Sequence, residues 1–402
     1  MKKIFQINSD VNSGSTGRIA EEIGQAAMNS GWESYIAYGR NARQSQSELI
    51  RIGSDWDVKV HGFQTRLFDR HGLGSKLVTK DLIDKIKIIS PDIIHLHNIH
   101  GYYINIEILF KYLQNSNIPV VWTLHDCWPI TGHCSYFTFV GCEKWETKCY
   151  SCPQKKSYPA SWLLDRSEKN FYLKKELFTS LPNLTLVPVS KWLSGIIKES
   201  FLNEYPKKVI HNGINSDVFK PSISRTFRTR YGLESKFILL GVASVWTPRK
   251  GLKDYIELSK RLNTDFTIVL VGLTRKQIEI LPNNILGIER TENVEELAEI
   301  YSAADIVLNL SYEETFGLTT VEGLACGTPG IVYNATASPE LIDNSTGIVV
   351  EKGDIYGLME AINHIKIKGK EYYTEACVYR VLRLYRKEDC YKEYLELYES
   401  LL

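Results

Sequence analysis

Glu314-Thr315-Phe316-Gly317-Leu318-Thr319-Thr320-Val321-Glu322 places two carboxylates on either side of a seven-residue span that contains Phe-Gly. The stretch follows a strand-like run, Asp305-Ile306-Val307-Leu308-Asn309-Leu310, and opens a helix-like run that ends at Ala325-Cys326-Gly327-Thr328-Pro329. A helix start exposes unpaired backbone N–H groups and a partial positive charge, so such a turn suits a phosphate. From Phe316 to Glu322 a helix advances nearly two turns, which leaves Glu314 at the mouth and Glu322 further along the same wall. A carboxylate there accepts hydrogen bonds from sugar hydroxyls, and the stretch reads as a site for a sugar joined to a diphosphate. The plainer reading is two acids in a favourable first turn and a solvated face. Glu-x7-Glu alone favours that plainer reading.

Working outward, the chain alternates strand and helix signals. Lys3–Asn8 reads as a first strand, 18–29 as an amphipathic helix with Ile19, Ile23 and Ala26 on one face, and 34–38 as a returning strand. Asp92–His97 and Pro119–His125 are further buried-strand candidates. A second set begins near Lys220-Pro221, with strands at 237–242, 266–272 and 305–310 and helices at 253–262 and 294–303. Alternation of this kind predicts parallel sheets covered by helices on both faces. The expected class is therefore α/β, with two doubly wound, Rossmann-like domains. The turn chemistry of Val209–Pro221 separates them, with Gly213 as a candidate hinge or an ordinary turn glycine. From Glu371 onward the chain reads as helical and rich in tyrosine (Tyr379, Tyr385, Tyr391, Tyr394, Tyr398).

Composition narrows the class. The 402 residues suffice for two domains, and 44% hydrophobic with 24% charged residues is ordinary for a soluble globular protein. A net charge of +1 gives no reason to expect a nucleic-acid partner. No apolar run approaches the ~20 residues of a membrane span, and the opening Met1–Asn8 is too briefly apolar for a signal peptide. A cytoplasmic protein is expected, its 8 cysteines reduced or metal-bound. Neither Gly-x-Gly-x-x-Gly nor Gly-x-x-x-x-Gly-Lys-Ser/Thr occurs, which argues against dinucleotide oxidoreductases and P-loop enzymes.

The full string from Glu314 to Glu322, continued through Gly327–Val332 and Ser338–Ile342, resembles the signature of the retaining GT-B glycosyltransferases of family 4. The resemblance covers nearly the whole chain and is most specific from Val209 to Glu340. It implies two domains facing a cleft: residues 1–215 on the acceptor side, 216–384 for the nucleotide sugar, and 385–402 as a helix returning to the first domain. It implies that Glu314 contacts the donor sugar and Glu322 the ribose. The backbone at Thr315, Phe316, Gly317 and Leu318 would meet phosphate. Lys250, in Arg249-Lys250-Gly251, matches the lysine that neutralises the donor pyrophosphate. The family usually carries an arginine six residues earlier; Ser244 stands there, and Arg249 is the candidate replacement. His125, closing the Val120 strand, matches a histidine near the transferred sugar, with Asp126 orienting it or binding substrate. His95 and His97 read as structural. Asn12–Arg18, with Gly14, Ser15, Thr16 and Gly17, would form an acceptor-side loop; a simple helix entry capped by Ser15 or Thr16 is the competing reading.

No Asp-x-Asp motif accompanies these loops, and the resemblance implies that catalysis needs no cofactor. The implied reaction moves a sugar from a nucleoside-diphosphate sugar to a hydroxyl of a saccharide or lipid-linked saccharide, with retention, in surface-polysaccharide assembly. A nucleotide-sugar epimerase of the same build and a non-catalytic, zinc-stabilised scaffold are the rival readings.

An insertion near 127–160 stands apart. Cys134, Cys142, Cys149 and Cys152 follow a Cys-x7-Cys-x6-Cys-x2-Cys spacing just after Cys127. Four thiols suit a structural zinc, and Cys-x2-Cys is its usual half-site; free thiols are the alternative. The segment resembles a subgroup of capsule, exopolysaccharide and O-antigen transferases with His-Asp-Cys-Trp-Pro before it. Residues 144–175 carry eight Lys/Arg against three acids, interleaved with Trp145, Tyr150, Tyr158, Trp162, Phe171 and Tyr172. That mixture fits either a solvated helix and loop or peripheral contact with the inner face of an anionic membrane.

Overall fold

The computed structural model describes residues 1–223 and 226–402. The chain divides into two compact units, Met1–Ile210 with Tyr391–Leu402, and His211–Cys390. In the first unit six strands form one parallel sheet: β1 (Lys3–Asn8), β2 (Glu33–Tyr38), β3 (Glu48–Arg51), β4 (Ile93–Leu96), β5 (Val120–Leu124) and β6 (Leu184–Pro188), in the order β3-β2-β1-β4-β5-β6. Three helices of this unit matter below: α1 (Gly14–Asn29), α2 (Asp55–Phe68) and α3 (Lys76–Ile89). The central strands are near-continuous apolar runs because helices cover both faces of the sheet. β4, β5 and β6 are buried at every position. His95 tolerates this burial because its ring bonds Thr123 Oγ1 at 2.8 Å and Tyr398 Oη at 2.7 Å.

The second unit carries the other sheet: β7 (Phe237–Val242), β8 (Phe266–Val271), β9 (Ile285–Ile288), β10 (Ile306–Asn309), β11 (Gly330–Tyr333) and β12 (Gly347–Val350). Their order is β12-β11-β10-β7-β8-β9, again parallel. The expected pair of doubly wound, Rossmann-like domains is therefore present. In each sheet the strand order reverses once, between β1 and β4 and between β7 and β10. Ligands of open parallel sheets bind beyond the carboxyl ends of the strands at such a reversal.

Three local expectations change. The Gly14–Gly17 segment is the first turn of α1, the helix-entry reading of the two, but Ser13, not Ser15 or Thr16, stands at the N-cap, with no side-chain bond. Gly17 lets α1 pack closely on the preceding loop, since a Cβ there would sit 3.1 Å from the Asp10 carbonyl oxygen. Gly213 is a packing glycine: a Cβ would come 2.4 Å from Lys387 Cα. The tyrosine-rich end is two helices, Glu371–Leu384 and Lys387–Leu401, and the break between them has a cause. The Tyr385 carbonyl accepts from Ile214 N at 2.7 Å, and Lys387 N donates to the Ile214 carbonyl at 3.1 Å, so both leave the helical ladder. Tyr379 points outward, whereas Tyr385, Tyr391, Tyr394 and Tyr398 are buried. No helix among the described residues is long and apolar enough to cross a membrane.

Candidate active site

In the second unit the reversal between β7 and β10 brings together two loops that lie far apart in sequence. After β7, Pro248–Lys250 forms a single 3-10 turn closed by Gly251 at φ 74°. Gly251 is required twice over: its backbone is left-handed, and a Cβ there would lie 2.1 Å from the Leu310 carbonyl oxygen, just past β10. This close approach seats Lys250 beside the Glu314 turn, and Lys250 Nζ donates to Glu314 Oε1. Burial alone would raise the Glu314 pKa, but the charges of Lys250 and Arg249 outweigh it and hold the carboxyl below its ordinary value. Arg249 donates through Nη1 to the Glu313 carbonyl. Its charge thus acts on the site that Ser244, exposed on its own loop, leaves without an arginine.

The rest of the turn is held rigidly. Glu314 N donates to Thr336 Oγ1 at 2.8 Å. Phe316 is buried and stacks on His211 with ring centroids 5.7 Å apart. Gly317 adopts φ 103° as the N-cap of helix Leu318–Ala325, where any side chain would strike Leu341. That backbone conformation, with the intrinsically unpaired N–H groups of Leu318 and Thr319, leaves the helix start suited to an anion. Glu322 is buried one and a half turns on and accepts from Tyr301 Oη at 2.9 Å. Asp254 accepts from both Tyr312 Oη (2.9 Å) and Tyr333 Oη (2.7 Å), tying the loop after β10 to the end of β11. Sequence reasoning missed Tyr301, Thr336 and Asp254, because each acts through a contact more than twenty positions away in the chain.

The first unit carries a second polar cluster, along the carboxyl ends of β1, β2, β4 and β5. Arg40 pairs with Asp10 at 2.8 Å. Asp126 accepts from Trp128 N at 2.9 Å and lies 2.9 Å from His100 Nε2, whose other nitrogen meets Tyr158 Oη at 3.1 Å. Burial would raise the Asp126 pKa; His100 reverses this, and the net direction is down. Ser15 of α1 is exposed and Thr16 partly so.

His125 is buried just past β5, and burial lowers its pKa to about 4, so the ring is neutral near pH 7. Its proton can be placed from its neighbours. Gln6 Nε2 donates to the Ala20 carbonyl at 2.8 Å, and a carbonyl only accepts, so Gln6 Oε1 faces His97 Nε2 at 3.0 Å. His97 Nε2 therefore carries hydrogen. Burial drives the His97 pKa well down, so its Nδ1 is bare and accepts at 3.1 Å from His125 Nε2. The neutral His125 then holds its proton on Nε2, and Nδ1 is a hydrogen-bond acceptor. His97, which reads as merely structural in the sequence, fixes the tautomer of His125.

The four insertion cysteines line one small cavity with Phe137 and Trp145. All are free thiols. Hydrogen bonding with Cys134 lowers Cys152 to about 7, while burial raises Cys149 to about 11. Gly132 N donates to Cys149 Sγ at 3.2 Å. Among the described residues no three His, Cys, Asp or Glu side chains stand as a ready ion site.

Known families match both halves of the chain. Residues 16–218 match the model described as Glycosyltransferase Family 4, and residues 236–366 match Glycosyl transferases group 1. The chain belongs to glycosyltransferase family 4. It is 22% identical, over 99% of its length and 100% of the relative's, to the putative colanic acid biosynthesis glycosyl transferase WcaC of Escherichia coli. A D-inositol 3-phosphate glycosyltransferase of a Mycobacterium is 28% identical over 42% of each chain. Among solved structures, sucrose-phosphate synthase from Thermosynechococcus elongatus superposes with a TM-score of 0.75 at 18% identity, covering 100% of this chain and 99% of that one. Anabaena HepE in complex with UDP-glucose superposes with a TM-score of 0.69 at 14% identity, covering 100% of both.

Proposed function

We propose that this glycosyltransferase moves a sugar from a nucleoside-diphosphate sugar to a hydroxyl of a saccharide or lipid-linked saccharide, with retained anomeric configuration, in surface-polysaccharide assembly on the cytoplasmic side. The observation that carries the reading is the Lys250–Glu314 pair at the start of helix Leu318–Ala325, with Glu322 further along the same helix. A diphosphate leaving group needs positive charge as its bond to the sugar breaks. Lys250, seconded by Arg249 and the helix N–H groups, supplies it once the donor phosphate competes with Glu314 for the ammonium. Glu314 is then released to accept from a sugar hydroxyl, and Glu322 from the ribose. His125 makes a hydrogen bond with a hydroxyl of the transferred sugar, while Gly14–Gly17 and Asp126 serve the acceptor. No carboxylate among these residues is proposed as a nucleophile; the leaving phosphate takes the acceptor proton on the same face. The colanic acid assignment of the full-length relative supports the polysaccharide setting.

Thermal unfolding against UDP-, GDP-, ADP- and dTDP-sugars tests the donor site. One nucleotide at a hundred times its Kd should stabilise the protein by about 2.7 kcal/mol, and Glu322→Ala should remove the shift. UDP-sugars come first, because HepE was solved with UDP-glucose. No shift with any donor would return weight to the scaffold reading, and release of an epimer without acceptor to the epimerase reading.

We also propose that Cys134, Cys142, Cys149 and Cys152 hold a structural zinc. Convergence of four thiols on one cavity within an irregular segment supports it, although their side chains must rotate to enclose an ion. Elemental analysis of the purified protein should give one zinc per chain, lost in Cys149→Ser/Cys152→Ser; a metal-free, fully folded protein would end the idea.

A further inference from the structure

No step of the proposed transfer uses His133, yet this residue is set up as a ligand. Its side chain is wholly buried, and Nδ1 lies 2.6 Å from Asp69 Oδ1. The other ring nitrogen, Nε2, has no hydrogen-bond partner among the described residues. Protonated, Nε2 is a buried N–H that nothing accepts; bare, it is a buried lone pair without a donor. Either state is costly, so Nε2 calls for a partner that the chain itself does not supply.

The surroundings say what that partner is. His133 lines the same small cavity as Cys134, Cys142, Cys149 and Cys152, whereas Asp69 does not line it. The Nδ1 edge of the ring therefore faces Asp69, and the Nε2 edge faces the thiols. A histidine that binds metal through one nitrogen almost always donates its other N–H to a carboxylate, a carbonyl or water, which fixes the ring and its tautomer. Asp69 is held firmly for that task. It stands in the turn between α2 and α3, as the C-cap of α2 at φ 51°. Its Oδ2 accepts from Arg166 N at 2.8 Å and its carbonyl from Asn170 Nδ2 at 2.9 Å, which leaves Oδ1 to His133.

Charge favours an imidazole over a fourth thiolate. Four thiolates around Zn²⁺ leave two net negative charges; three thiolates and a neutral imidazole leave one. Lys174 is buried beside the cavity, its Nζ donating to the Trp128 and Thr131 carbonyls at 2.7 and 3.0 Å, and its positive charge acts on Cys149 and Cys134. One ammonium balances the mixed set and not the all-sulfur set, in a place where an uncompensated charge is costly. The thiols also divide. Cys149 and Cys152 form the Cys-x2-Cys half-site, Cys149 Sγ accepts from Gly132 N at 3.2 Å, and Cys134 is hydrogen-bonded to Cys152. Cys142 is only half-buried. We propose that His133 Nε2 is the fourth zinc ligand, beside Cys134, Cys149 and Cys152, and that Asp69 orients it. The assignment rests on the structural zinc proposed above and puts His133 in the place of Cys142.

X-ray absorption at the zinc edge of the purified full chain tests the ligand set. A nitrogen at about 2.0–2.1 Å beside sulfurs at about 2.3 Å is expected. Sulfur alone would overturn the histidine ligand and leave the four-cysteine site standing; a folded chain without zinc would end both. Competition with a chelator should show zinc affinity lowered about 10–100-fold in Asp69→Asn and further in His133→Ala, while Cys142→Ser keeps its zinc. A nitrogen shell that survives His133→Ala overturns the assignment, as does loss of zinc from a folded Cys142→Ser protein. Should His133→Ala fail to fold, the wild-type spectrum and the Cys142→Ser protein still decide. The nucleotide shift described above does not depend on these variants, so failure here leaves the donor site standing.

Discussion

Lys250→Ala should lower kcat/KM by roughly 10²–10³-fold, the usual effect of deleting one preorganised charge at a leaving group. It should also destabilise the second unit. Glu314 is buried and held ionised chiefly by Lys250 and Arg249, and removing one partner of a buried pair leaves a charge without compensation. About 3–5 kcal/mol is the usual loss for a buried pair, and the lower end of that range is expected because some solvent reaches this one. The two effects separate in a second variant. Adding Glu314→Gln to Lys250→Ala should restore most of the stability and none of the turnover. Urea unfolding with steady-state kinetics of the three proteins checks this. Full turnover by Lys250→Ala, or a stability loss that the second substitution leaves untouched, would remove the pair from the proposed role.

The first unit should be acid-labile at a pH where most proteins are not. His61 and His125 are both lowered to about 4 by burial, and His71, His95 and His97 are also driven well down. An unfolded imidazole takes its proton near 6.5. Between pH 6.5 and about 4 the unfolded chain therefore binds more protons than the folded one. Stability is fully present above 6.5 and is lost as pH falls through that window. By pH 5 the loss is about 2 kcal/mol for each of His61 and His125. Asp126, lowered chiefly by His100, adds to the loss only below the ordinary carboxylate range, so the interval from 6.5 to 5 isolates the imidazoles. Denaturant midpoints at pH 7.5, 6 and 5 measure it; a flat profile would contradict the buried, neutral assignment on which the His125 tautomer rests.

What the sequence revealed depends on how local each signal is. The Glu314–Glu322 string was legible because strand, turn and helix follow one another without interruption, and the periodicity of the flanking runs identifies each. The Lys250–Glu314 pair was not, since it requires β7 and β10 to be neighbours although β8 and β9 intervene in the chain. Lys-Gly hinted at it only through resemblance; the physical reason, the Leu310 carbonyl against Gly251, is a tertiary fact. His97 has the letters of an ordinary buried strand, and only the register of β1, β4 and β5 places it between Gln6 and His125. Short strands such as β3 and β12 offer too few positions for alternation to register. The Gly14–Gly17 segment left a loop and a helix entry open, because small residues suit both; the structure makes it the first turn of α1.

The tyrosines of the chain's far end have a temporal consequence. Tyr398 and Tyr394 supply hydroxyl partners to His95 and Thr123 in the middle of the first sheet, and Tyr391 binds Glu22 of α1 at 2.7 Å. Those partners lie more than 250 positions further along the chain than the residues they meet. Although the first unit's strands are made early, its centre stays polar and unsealed until residues 391–398 have been made, and a fragment ending at residue 210 would never close it.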